Sequence, residues 1–191
     1  MQLRAGSLFA LILTVFLFGN LTHAGAAEQG QGGALRLLFW QAPTVVNPHL
    51  SIGSKDLTAS RVVYEPLATF DRDGRLIPFL AAEIPSLKNG GIAPDGRSVT
   101  WTLKQGVTWA DGRPFTADDV LFTFEYATNP AVRATSRASY RAVERVEIID
   151  DYHLTAHFKD VNPAWAVPFV GSNGMIIPRH LFQDYAGANA H

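Results

Sequence analysis

Apolar and polar residues alternate from Ser98 to Lys104. Val99, Trp101 and Leu103 share one face, and Ser98, Thr100, Thr102 and Lys104 share the other, the period of a half-buried strand. Gln105-Gly106 breaks the pattern, residues 107–109 resume extended structure, and Asp111-Gly112 turns the chain. Beyond Pro114 the period changes. Thr116 followed by Asp119 is a capping box with Asp in place of Glu or Gln, and Asp118 and Asp119 suit the positive end of a helix. Val120, Phe124 and Ala127, with Leu121 alongside, then recur at helical spacing. Residues 143–149 and 153–158 read as two strands of a hairpin around Asp150-Asp151.

The same reading extends to the remaining segments. Residues 34–40 (ALRLLFW) are nearly continuously apolar and bounded by Gly and Pro, which predicts a strand buried on both faces of a sheet. An irregular segment between Pro43 and Pro48 leads to Ile52-Gly53-Ser54, a small flexible patch. Asp56 is placed to cap a short helix whose apolar stripe is Ala59, Val62 and Val63, with Pro66 ending it. Residues 67–70 and 76–80 are extended around the turn Asp71-Arg72-Asp73-Gly74, residues 88–96 are a loop, and residues 129–138 are polar and irregular. Residues 162–175 are loop-like with Trp165 and Phe169 packing, and a helix opens at Arg179. Asp-Gly-Arg occurs at Asp73, Asp95 and Asp111, each time between extended segments. That placement predicts turns with two residues at positive φ in preference to an adhesion motif.

The N-terminus adds a destination. Arg4, an apolar run over residues 8–18 and the small-residue patterns Thr22-His23-Ala24 and Ala24-Gly25-Ala26 predict a cleaved secretory signal peptide over residues 1–26. The run is well short of the roughly 20 residues that cross a bilayer, which argues against an uncleaved anchor. There is no cysteine, hence no disulfide and no thiol near the cleavage site to carry a lipid anchor. The expected product, if the source is a bacterium, is soluble and untethered in the periplasm. With 47% hydrophobic and 17% charged residues among 191, the chain is globular and makes one ordinary domain or part of a larger protein. A net charge of -1 without a basic run argues against nucleic acid as a partner.

Candidate chemistry is sparse. His153 and His157 have helical metal-site spacing, but they alternate with Leu154, Ala156 and Phe158. On a strand they stand roughly 13 Å apart, too far to share a zinc ion. Asp71 and Asp73 begin like a calcium loop whose remaining ligands are missing. Nucleophile elbow, phosphate loop and His-Glu-x-x-His are absent, so no catalytic residue, metal ligand or cofactor is assigned. Trp101 falls on the core face of its strand, whereas Trp40 ends the strand expected over residues 34–40, where pockets of open sheets form.

Several segments, in order, resemble the periplasmic substrate-binding proteins of peptide-type and nickel-type ABC importers, the family 5 solute-binding proteins. They are residues 34–40, Val46-Asn47-Pro48-His49, Val63-Tyr64-Glu65-Pro66-Leu67, Leu80-Ala81-Ala82-Glu83, residues 100–104, and Trp109-Ala110-Asp111-Gly112 with residues 115–120. Residues 154–158 and Ile177-Pro178-Arg179-His180 complete the set. The resemblance implies an α/β periplasmic-binding-protein-like lobe with an inserted small mixed α+β domain. Residues 27–64 would begin the large N-terminal lobe, residues 65–178 would form the inserted domain, and residues 179–191 would start the return into the lobe. The second lobe of the family has no counterpart here, so the chain is expected to be a truncated, N-terminal portion that binds ligand weakly or not at all by itself.

In peptide binders of the family, backbone just after the Asn/Asp-Pro-His segment pairs with the extended ligand, as an added strand would. That places candidate ligand contacts at the backbone of Ile52, Gly53 and Ser54, with Trp40 as a candidate pocket residue. The implied partners are a peptide or small solute and a membrane ABC permease, with a monomeric full-length protein. A binding protein for nickel or another non-peptide solute, a secreted enzyme with a dispersed active site, and a chaperone-like module remain alternatives.

Overall fold

Three antiparallel strands and one long helix hold most of the core of the computed structural model, which describes residues 36–190. Phe39–His191 forms one compact unit. Its elements are α1 (Ser54–Ser60), β1 (Ala68–Phe70), β2 (Leu76–Pro78), β3 (Ser98–Thr102), α2 (Ala117–Thr128), β4 (Val143–Asp150), β5 (His153–Phe158) and α3 (Arg179–Phe182). A short 3₁₀ helix, Thr135–Tyr140, joins α2 to β4.

The sheet order is β3-β5-β4, with Trp101 opposite Leu154 and Val99 opposite Ala156. The alternation expected for β3 is realised: Val99, Trp101 and Leu103 are buried on one face, as are Leu154, Ala156 and Phe158 of β5. On the other face the hydroxyls of Thr100 and Thr155 meet across the strands at 2.9 Å. β4 closes the expected hairpin as an exposed edge strand, and its charged residues discourage further pairing.

α2 starts where its capping box predicts. The Asp119 carboxylate accepts the Thr116 N–H at 3.2 Å. Val120 and Ala127 are buried as their spacing requires, but Phe122, Thr123 and Tyr126 are buried too, giving a wider apolar face than the sequence pattern suggested. The β1–β2 hairpin turns as expected over Asp71-Gly74, where the Asp71 carboxylate accepts the N–H groups of Asp73 and Arg75 at 2.8 Å each.

Four expectations are corrected. No strand forms over residues 36–40, the described part of the apolar run; Leu38 and Trp40 are exposed, and no described strand lies beside them to supply a hydrogen-bonding ladder. Asp56 does not cap α1. Gly53 occupies that position, and the Asp56 side chain turns inward to accept the Thr44 N–H at 2.7 Å and the Lys55 ammonium at 2.8 Å. Consequently α1 buries Asp56 and Ser60, while Val62 and Val63 stay exposed. The Asp-Gly-Arg turns need one positive φ each, at Gly74, Gly96 and Gly112, and the Asp keeps negative φ. Finally, the segment expected to be irregular before β4 contains the ordered turn Thr135–Tyr140, which buries Ser136 and Tyr140.

Candidate functional site

The segment that carries Ile52, Gly53 and Ser54 emerges from a buried polar cluster. Asn47 folds its side-chain oxygen back onto the His49 N–H at 2.9 Å and donates its amide to the Tyr126 hydroxyl of α2 at 3.0 Å. The Ser51 hydroxyl donates to the Asn47 carbonyl at 2.8 Å. Thr135 gives its N–H to the His49 carbonyl at 2.8 Å and sets its hydroxyl against the carbonyls of His49 (3.0 Å) and Ser51 (2.9 Å).

His49 is the centre of this cluster, with no exposed surface. Its Nε2 lies 2.9 Å from the Met175 carbonyl and its Nδ1 2.7 Å from the Ser136 hydroxyl. A carbonyl only accepts, so Nε2 carries the hydrogen and Nδ1 accepts from Ser136. The rings of Tyr126 and Tyr140 flank it at 6.1 and 6.4 Å. Burial lowers the pKa of the imidazole from 6.5 to about 4, with the Met175 hydrogen bond opposing, so the ring is neutral at physiological pH. Burial likewise pushes the Tyr140 hydroxyl far up.

Immediately beyond this anchor the chain surfaces. Ile52 is 90% exposed, and its N–H and C=O have no hydrogen-bond partner among the described residues. Gly53 gives its carbonyl to the Asp56 and Leu57 N–H groups, and a Cβ built on it would meet nothing within 4 Å. Ile52 is thus exposed immediately beyond a segment hydrogen-bonded inside the fold. Trp40 is 76% exposed and lies outside the main concavities of the described residues, as do Ile52, Gly53 and Ser54. The structure therefore does not bring Trp40 and residues 52–54 into one cavity.

A second polar junction fastens α2 to the end of the chain. The buried Asp119 carboxylate accepts three N–H groups: Thr116 and the Trp109 indole (3.1 Å) on one oxygen, and Arg179 (2.9 Å) on the other. Asp118 pairs with the Arg179 guanidinium at 2.6 Å, and Asp111 with His180 at 2.7 Å. Thr123 passes its hydroxyl hydrogen to the Asp119 carbonyl and accepts the Ile177 N–H at 3.0 Å. The two histidines of β5 have different partners: His153 bonds Asp150, and His157 bonds Glu147. Among the described residues there is no cluster of three or more side chains able to hold a metal ion.

Residues 75–189 match the model of the bacterial extracellular solute-binding proteins, family 5. The chain belongs to this family. A probable peptide-binding protein of Agrobacterium fabrum, YejA, is 29% identical over 154 residues, which cover 80% of this chain and 24% of that protein. The nickel-binding periplasmic protein of Escherichia coli is 37% identical over 79 residues, 41% of this chain and 14% of that protein. Among solved structures, Haemophilus influenzae OppA in complex with RPPGFSPFR superposes with a TM-score of 0.64 at 25% identity, covering 74% of this chain and 30% of that one. Campylobacter jejuni NikZ in complex with Ni(L-His) gives the same TM-score at 26% identity, covering 78% and 28%. The mixed α/β fold thus matches part of the lobe of these proteins, and the chain spans about a quarter of the length of its first relative.

The family resemblance pointed to residues 52–54 as candidates but not to the buried cluster that precedes them. Tyr126, Thr135 and Ser136 had no local signal. Asn47 and His49 had one, two polar side chains around a proline within an otherwise recognisable family segment.

Proposed function

We propose that this chain is part of the substrate-binding component of an ABC importer. It takes a peptide or peptide-like solute in the periplasm, without covalent chemistry, and presents it to a membrane permease. In this reading residues 1–26 are a cleaved leader and residues 27–64 begin the large lobe. Residues 65–178 form its inserted domain, residues 179–191 return to the lobe, and the full-length protein is a monomer. Family membership supports the class of function. The observation that carries the ligand reading is the exposed backbone of Ile52, unpaired among the described residues, next to Gly53 and Ser54 where α1 begins, and held on the buried Asn47 and His49 anchor. Unsatisfied main-chain groups pair with any extended peptide irrespective of its sequence, which suits a peptide over a metal complex.

Amide NMR spectra of the chain, titrated with a mixed pool of short peptides and separately with nickel-histidine, test this. Peptide is expected to move the amide signals of residues 52–54 selectively, even at weak affinity. Peptide-induced shifts confined to other regions, or shifts at residues 52–54 with nickel-histidine and none with peptide, would sink the peptide reading.

A further inference from the structure

A broad open groove of about 890 Å³ runs along Thr135–Tyr140, past the end of α2 and the start of β4. Arg137, Arg141 and Lys159 line it, and Glu144 is the one carboxylate among its lining residues. The three cations are exposed. The neighbouring ion pairs are Arg97–Asp160 and Arg145–Glu147, and no described carboxylate pairs with Arg137, Arg141 or Lys159. Lys159 instead donates to the Arg141 carbonyl at 2.9 Å, which fixes the ammonium against the groove wall. A local excess of positive charge thus stands on a chain whose net charge is -1. Uncompensated like charges repel one another and are relieved by a complementary partner.

The dimensions select the partner. A volume near 890 Å³ lies at the upper end of ligand pockets and far exceeds one small anion. Arg137 lies in the 3₁₀ helix and Arg141 caps it; an ideal 3₁₀ rise would set their backbones roughly 8 Å apart along the axis, and both side chains line the groove. Alternate side chains on one face of an extended strand are about 7 Å apart. We infer that the groove docks an acidic polypeptide segment in extended form, with carboxylates at alternate positions set against Arg137 and Arg141 and Lys159 closing the site. All its lining residues belong to this chain, so the docking is independent of the peptide reading at residues 52–54.

The test is fluorescence anisotropy of a labelled peptide of alternating Glu and Ser, with its Gln-Ser counterpart, against the whole chain. The Glu peptide is expected to bind at least about tenfold more tightly than the Gln peptide, and to weaken about tenfold when NaCl rises from about 20 mM to about 200 mM. R137E/R141E should abolish binding, while R72E/K88E, at exposed cations elsewhere, should leave it within about twofold. If R137E/R141E fails to fold by circular dichroism, Arg137→Gln and Arg141→Gln taken singly decide, each expected to weaken binding. No binding at low salt, equal binding of the Gln peptide, equal loss in R72E/K88E, or tighter binding of inorganic phosphate than of the Glu peptide would overturn the inference.

Discussion

Acidification from pH 7.5 towards 4.5 perturbs His49 before it perturbs the carboxylates whose pKa values are lowered. The folded chain protonates this buried ring only near pH 4, the unfolded chain near 6.5. Above 6.5 the ring is neutral in both states and its contribution to stability is fully present. As the pH falls below 6.5 the unfolded chain takes up a proton that the folded chain refuses, so stability drops by about 1.4 kcal/mol per pH unit. The loss reaches roughly 2.5 kcal/mol near pH 4.5 and levels off below about 4, where the ring is protonated in place. Ser136 can rotate its hydroxyl to accept from a protonated Nδ1, so hydrogen bonding survives; the penalty is that of burying the charge.

The carboxylates act later. Asp56, held low by Lys55, Asp111 by the Arg113 N–H, Glu147 by Arg145 and Asp150 by the Tyr152 N–H, stabilise the fold above their unfolded pKa values. They lose that effect as the pH falls through their lowered folded values, below about 4.5. Urea unfolding followed by tryptophan fluorescence, which reports the fully buried Trp101, measures the window between. The wild-type chain is expected to lose stability across it. His49→Gln, which keeps an amide able to bond Met175 or Ser136 but does not titrate, is expected to start lower and stay flat. Parallel slopes for the two chains, or an NMR titration of His49 near 6.5 in the folded chain, would refute the argument.

Three further substitutions probe the packing. Asp119→Ala leaves the N–H groups of Thr116, Trp109 and Arg179 without their shared acceptor and should cost roughly 3 kcal/mol, read as a lowered urea midpoint. An unchanged midpoint would mean that water replaces the carboxylate at little cost. Gly174 and Gly112 form a matched contrast. A Cβ at Gly174 would lie 2.2 Å from the Phe169 carbonyl carbon, in backbone that already holds Phe169 at φ +63°. Gly174→Ala should therefore cost more than about 3 kcal/mol. A Cβ at Gly112 meets nothing within 4 Å and only suffers its φ of +86°, so Gly112→Ala should cost about 1 kcal/mol, both read from the urea midpoint. Equal losses would show that the steric argument at Gly174 is wrong.

What could be read from the sequence, and what could not, divides by the reach of each interaction. β3, β5 and α2 were legible because their burial repeats within a few residues, at period 2 or 3.6, and the Thr116–Asp119 cap closes within one turn. The described part of the apolar run, residues 36–40, misled because a strand buried on both faces is defined by its neighbours, and no described strand flanks it. Asp56 misled for the opposite reason. It can cap locally, yet its carboxylate is used by Thr44, 12 residues earlier, and the helix begins at Gly53 instead.

The family motif residues are the sharpest case. His49 looks inert in its own segment, but its partners lie 87 and 126 residues away, at Ser136 and Met175. Asp119 reads as a cap, but its second oxygen holds Arg179, 60 residues on. In both, a short polar signature marks the place where distant segments are fastened together. Neither His49 nor Asp119 is presented to solvent, so the chemistry of these motifs is structural. The backbone displayed at Ile52 follows from them: a flexible Ile-Gly-Ser patch becomes a defined surface only because Asn47, His49 and Ser51, just before it, are bonded inside.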